Sequence, residues 1–194
     1  MMQSEVRLIS DEMSLKIIET AENLVTLNGP NNITVRQILK ELDITNRVFY
    51  NRFPNIDAVL DIVYRSTIIK IRESLPEKFE PRNREEYFES ITKILVHSLT
   101  SSYEYKMKFN HYIFANDSVS KNNALWWCDK IKELIDYGVE RKYIKDVNSS
   151  LLSYSIWCFV RGYNADAVGR GLPKEEAVEC FKYSFSFFME GLKL

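Results

Sequence analysis

Glycine and proline are scarce in this chain, six and five residues among 194. There is no convincing two-residue hairpin signal and no internal repeat, which removes the usual punctuation of all-β folds. Histidine is scarcer still, with only His97 and His111. No Ser/His/Asp order, Gly-rich phosphate loop or HExxH motif is present, so no catalytic residues, metal site or cofactor are expected. The three cysteines, Cys128, Cys158 and Cys180, are far apart and odd in number. They form no CxxC or Cys/His cluster, and read as free thiols of a reducing cytoplasm. No apolar run approaches the roughly 20 residues a membrane span needs, and the N-terminus lacks a signal-peptide core. The expected location is cytoplasmic, with no membrane partner. A formal net charge of −1 excludes a general basic bias towards nucleic acid, so any such contact must rest on a local patch.

What remains is helical. The chain is 45% hydrophobic, 27% charged and 13% aromatic, which is the composition of a globular protein. Leu15, Ile18, Ala21 and Val25 fall three and four apart and predict a first helix over about 11–27. Asn28-Gly29-Pro30 ends it, because Gly suits a left-handed cap and Pro cannot extend a helix. Thr34 and Gln37 form a capping box for a second helix ending near Leu42. Thr45 can cap a third, which Pro54 stops at Phe53. Asn55 caps a fourth helix reaching about residue 74. The loop 76–83 follows. Further helices are expected at about 84–100 (Phe88, Ile91, Leu95 and Leu99 on one face), 104–115, 119–141, 148–168 and 174–192, with a break at 101–105. This gives about nine helices and no credible strand, an all-α fold.

One stretch carries a specific pattern. In "ITVRQILKELDITNRVFYNRF" (33–53), two short helices flank the turn Leu42-Asp43-Ile44. Val35, Ile38 and Leu42 give the first an inner face, and Ile44, Phe49 and Phe53 serve the turn and the second. The other positions carry amide, guanidinium, phenol and methyl groups, which can read base edges or hold phosphates. Spacing and chemistry are those of a helix-turn-helix, whose second helix enters the major groove. Within 33–53, Arg36, Lys40, Arg47 and Arg52 face only Glu41 and Asp43, although residues 1–65 hold seven Lys/Arg against nine Asp/Glu. Local charge favours DNA and the charge of the wider head does not.

The stretch "TVRQILKELDITNRVFYNRFPNIDAVL" resembles the helix-turn-helix of the TetR (tetracycline-repressor-like) transcriptional regulators. Thr34, Ile38, Ile44, Thr45, Phe49, Tyr50 and Phe53 match that pattern in order. Detailed likeness covers roughly 15–63; beyond it only helical character and length agree. Three positions depart: Leu42-Asp43 stands for the usual Ala-Gly turn, Arg47 for a common Gly, and Ile56 for a common Lys that holds a phosphate. The resemblance implies a head at 1–54 that binds double-stranded operator DNA through Thr34, Arg36, Thr45, Asn46, Arg47, Tyr50, Asn51 and Arg52, with Tyr50 and Arg52 on phosphates. It implies a ligand-binding and dimerisation domain over 55–194, with the helix 55–74 as connector. The expected function is a ligand-responsive regulator, a repressor released by a small apolar or aromatic effector. A helical scaffold that has lost DNA binding is the alternative.

The distal helices are rich in aromatic residues. In the family such helices enclose a small-molecule inducer, and Phe109, Tyr112, Trp126, Trp127, Tyr154 and Trp157 are the candidates to line it. Ordinary core packing is the competing reading of the same rings. The last two helices carry small-residue stripes, which let helix axes approach closely. By resemblance they form a homodimer through a four-helix bundle, with Ser155, Cys158, Gly162, Ala177, Phe181, Ser184 and Phe188 at the interface. Tight packing within one subunit is again the alternative.

Overall fold

A computed structural model describes residues 10–29, 32–104 and 117–194, and these are all-helical, with no strand among them. Eight helices are described: α1 (Glu12–Asn28), α2 (Val35–Leu42), α3 (Asn46–Tyr50), α4 (Ile56–Glu73), α5 (Arg84–Glu104), α6 (Asp117–Glu140), α7 (Ser149–Gly169) and α8 (Lys174–Leu192). The chain divides into two compact units, Met1–Ile68 and Ile69–Leu194, and the division falls inside α4.

The first unit is a three-helix head plus most of α4. Asp11 caps α1, its carboxylate accepting from the Ser14 amide (2.8 Å) and hydroxyl (2.9 Å). Gly29 closes the helix at φ 78°, where a side chain would be strained. The buried face of α1 is Ser14, Ile17, Thr20, Ala21 and Val25. This corrects the stripe read from the sequence: Leu15 is 63% exposed, and Ile17 takes the inner position. Both series keep a spacing of three and four and share Ala21 and Val25, and periodicity alone does not choose between rows one residue apart. Thr34 and Gln37 form the expected capping box, with the Thr34 amide donating to Gln37 Oε1 at 2.7 Å. Asp43 ends α2 in the left-handed conformation (φ 50°, ψ 45°), so the Ala-Gly of the pattern is replaced without losing the turn.

The third helix is shorter than expected. Only Asn46–Tyr50 is α-helical, and Thr45 sits at its N-cap without a side-chain capping bond. A helix of five residues cannot stand alone, since nucleation costs more than its few hydrogen bonds return. Packing holds it instead. Phe49 and Phe53 are buried, ring centroids 5.9 Å apart, and each contributes roughly 1.5–3 kcal/mol.

In the second unit α6 packs on α7, and α5 packs on both α7 and α8. Tyr87, Ile91, Leu95 and Leu99 of α5, Ile135 of α6, Ile156 and Val160 of α7, and Phe181 and Phe185 of α8 are buried. The predicted break at 101–105 is absent as far as Glu104: Ser101 and Ser102 are buried, and the Ser102 hydroxyl donates to the Ser98 carbonyl at 2.9 Å. Hydroxyls that bond back to the helix's own carbonyls can continue it where a string of serines suggests a loop. The helix expected at 104–115 lies outside the described residues beyond Glu104.

Candidate nucleic-acid interface

The packing of α2 and α3 decides which side chains face out. With Ile38, Phe49 and Phe53 turned inward, Thr34, Arg36, Thr45, Asn46, Arg47, Tyr50 and Asn51 are exposed. On α3 and its C-cap, Asn46, Arg47, Tyr50 and Asn51 follow one another at steps of three and four and form one outward row. Tyr50 is 54% exposed, its ring edge-on to Phe49 at 5.3 Å, so an inner anchor orients an outer side chain. The Thr34 hydroxyl is engaged in the capping box, accepting from the Gln37 amide and donating to Gln37 Oε1 at 2.9 Å.

Arg52, expected to hold a phosphate, is engaged within the head. Its Nε donates to both carboxylate oxygens of Asp11, at 2.9 and 3.1 Å, and its Nη2 donates to Asp11 Oδ2. Nη1 donates to the Val48 carbonyl at 2.9 Å, and the side chain is 18% exposed. The Arg52 guanidinium, followed by the Ser14 amide, holds the Asp11 carboxyl well below the usual carboxylate range. Asp11 sits 41 residues away in sequence, and no local pattern signals the pairing.

The candidates for ligand contact separate into three groups. Trp127 and Trp157 are buried and stack on each other, centroids 6.0 Å apart and planes at 11°. Trp126 meets Trp127 edge-on, and the Arg72 guanidinium lies over its ring at 4.5 Å. Tyr154 is 63% exposed and faces solvent in the single chain. Phe109 and Tyr112 lie outside the described residues. Sequence reading missed a half-open cleft of about 570 Å³ between the loop after α4 and α5, lined by Ser74, Pro76, Lys78, Phe79, Lys93, Ile94 and His97 among others. At one side the Ser74 hydroxyl and His97 Nε2 are 2.8 Å apart. The polar row Glu86, Ser90, Lys93 and His97 on α5 was the available signal. Among the described residues no group of three or more His, Cys, Asp or Glu is placed to hold a metal ion.

The residues expected at a dimer interface also divide. Ser155, Cys158 and Gly162 are exposed along α7. Ala177 and Phe181 are completely buried inside the subunit, where the Tyr163 hydroxyl donates to the Ala177 carbonyl (2.8 Å) and Phe181 packs against Phe159 and Tyr163. This corrects their assignment: neither side chain is free to touch a second copy. Ser184 and Phe188 are half-buried, and Phe188 packs on Phe159. The exposed row of α8 is instead Cys180, Tyr183, Phe187 and Gly191, with Tyr183 and Phe187 69% and 63% exposed.

An exposed polar row on a short helix, fixed from behind by two phenylalanines and preceded by a capped helix and a left-handed turn, defines a helix-turn-helix head. Residues 17–63 match the family model described as bacterial regulatory proteins, tetR family. Over these residues the head matches that family model, and the chain has the fold of the TetR-family transcriptional regulators it superimposes on. A TetR-family transcriptional regulator from Pectobacterium atrosepticum superimposes with a TM-score of 0.77 at 12% identity, covering 94% of this chain and 95% of that one. The fatty acid degradation regulator FadR from Bacillus halodurans gives 0.63 at 15% identity, with 89% and 93% covered. A protein from Saccharomonospora viridis in complex with choline gives 0.70 at 15% identity, with 91% and 97% covered. No curated protein matches the sequence.

Proposed function

We propose that this protein is a homodimeric transcriptional repressor that binds operator DNA through its head, 1–54, and is released by a small apolar or aromatic effector bound within 55–194. The single observation that carries the reading is the outward row of α3. Asn46, Arg47, Tyr50 and Asn51 are exposed, while Phe49 and Phe53 behind them are buried. Amide and guanidinium groups match base edges, and a phenol suits a phosphate. A neighbour of the same fold holds choline, which supports response to a small organic molecule. The helix 55–74 is the connector in this reading. The exposed small-residue row of α7 and the exposed aromatic row of α8 support self-association.

The test is a mobility shift with a duplex spanning the region upstream of this gene. The wild type is expected to retard it. Arg47→Ala and Asn51→Ala are expected to change base preference, at about 1–3 kcal/mol per lost base contact. Retardation that survives Arg47→Ala, Tyr50→Ala and Asn51→Ala together removes α3 as the reading helix.

A further inference from the structure

We infer that Asp11 and Arg52 form a clasp that positions the recognition helix, and that Arg52 acts on DNA through this clasp and not by holding a phosphate. The inference rests on the DNA-binding reading above. The helix α3 is five residues long and has no side-chain cap, so its orientation is set by what grips it. Phe49 grips the middle. Immediately beyond its end, Arg52 reaches back to the Val48 carbonyl and across to Asp11 through two nitrogens. Asp11 is itself the cap of α1 and accepts from Ser14. One carboxylate therefore ties the start of the first helix to the end of the third. A planar guanidinium in a two-pronged carboxylate contact fixes direction as well as distance, which a point charge does not.

The sign of one substitution separates this role from a phosphate contact. Removing an acidic group from a DNA-binding head favours binding electrostatically, the more so if it frees an arginine. The clasp predicts the reverse. With the upstream duplex as probe, Asp11→Asn is expected to weaken binding about tenfold, as loss of a charge-assisted contact would. Glu19→Gln, a neutralisation on the exposed face of α1 away from the clasp, is expected not to weaken it. Arg52→Lys keeps the charge and loses the fork, so it is expected to weaken binding as much as Arg52→Gln. In all three clasp variants the slope of log affinity against log salt stays at the wild-type value. Asp11→Asn combined with Arg52→Gln loses no more than either alone.

Tighter binding by Asp11→Asn, a slope reduced by about 0.9 in Arg52→Gln, or additive losses would each overturn the inference. Circular dichroism confirms that the variants fold. Hydrogen exchange reads the clasp without DNA: the Arg52 and Phe53 amides, which both donate to the Phe49 carbonyl, exchange faster in Asp11→Asn. If the wild type retards no duplex, the DNA-binding reading fails; the exchange rates still report on the clasp, and unchanged rates there overturn it.

Discussion

Gly138 lies on α6 where the Tyr87 ring crosses it. A Cβ there would sit 2.2 Å from the Tyr87 hydroxyl and 2.3 Å from its Cζ, so the ring would have to move. Tyr87 is completely buried and its hydroxyl donates to the Leu134 carbonyl at 3.1 Å, so moving it also breaks that bond. Gly138→Ala is expected to destabilise the distal unit by about 1–3 kcal/mol, the cost of overpacking. A shift in the urea midpoint with unchanged slope checks it, and an unchanged midpoint contradicts it. In the head, the acid dependence follows Asp11. Its folded-state pKa is depressed, so its contribution is complete above the unfolded value of about 3.9 and is lost as pH falls through the folded one. Glu12, Glu86 and Asp136 are depressed by Lys16, Arg82 and Lys132 and carry the same sign. Thermal stability is expected to be flat in these groups from pH 8 to pH 5 and to fall below about pH 4. Asp11→Asn should remove part of the fall; an acid profile identical to wild type would show the clasp contributes nothing to it.

At the scale of elements, α8 shows why its partner surface was misread. Its strongest apolar row, Val178, Phe181, Phe185, Phe188 and Leu192, is the row that packs inside the subunit; Phe181 and Phe185 are fully buried and Phe159 of α7 packs against Phe181, Phe185 and Phe188. The second row, Cys180, Tyr183 and Phe187, is broken by Lys182, Ser186 and Glu190 beside it, yet it is the one left exposed. Amphipathic periodicity finds a helix and its dominant face. It does not say which of two apolar faces a second copy covers. The same limit explains Ile17 for Leu15 in α1. Capping, by contrast, is a local interaction of side chain and backbone. The box Thr34–Gln37, the cap Asn55 with Ala58 at 2.9 Å and the cap Asn148 with Leu151 at 3.1 Å were therefore legible or nearly so from sequence. The outward row of α3 was legible because its anchors Phe49 and Phe53 are four apart; the capture of Arg52 by a residue 41 positions away was not. The exposed rows give a clean test of assembly. A Cβ at Gly162 meets nothing within 4 Å, so Gly162→Leu adds bulk on the exposed face of α7. Gly162→Leu and Phe187→Glu are expected to yield folded monomers, whereas Phe181→Glu is expected not to fold, since it buries an unpaired charge. Sedimentation of the wild type as a monomer at micromolar concentration would count against the dimer.

For the whole molecule, a net charge of −1 and a head with more acidic than basic residues mean that specific contacts must supply what bulk electrostatics do not. Binding two successive major-groove faces requires recognition helices roughly 34–36 Å apart, or a multiple of that. An effector that shifts α4 spoils this spacing only if it prefers the DNA-free arrangement, by about 1.4 kcal/mol for each tenfold loss of DNA affinity. The tryptophans offer the readout. Trp157 stacks on Trp127, Trp127 meets Trp126, and Trp126 lies under Arg72 in the last turn of α4. A ligand that moves the end of α4 therefore changes the surroundings of an indole. Titration with an inducing compound is expected to alter tryptophan emission over the concentrations that abolish the mobility shift, and Arg72→Ala to change the emission before any ligand is added. Linkage adds a requirement on affinity: operator DNA must weaken effector binding by the same factor by which effector weakens operator binding. Calorimetry with and without the duplex measures both factors. A compound that fills a cavity with equal affinity in the two titrations is bound but uncoupled, and is not the inducer.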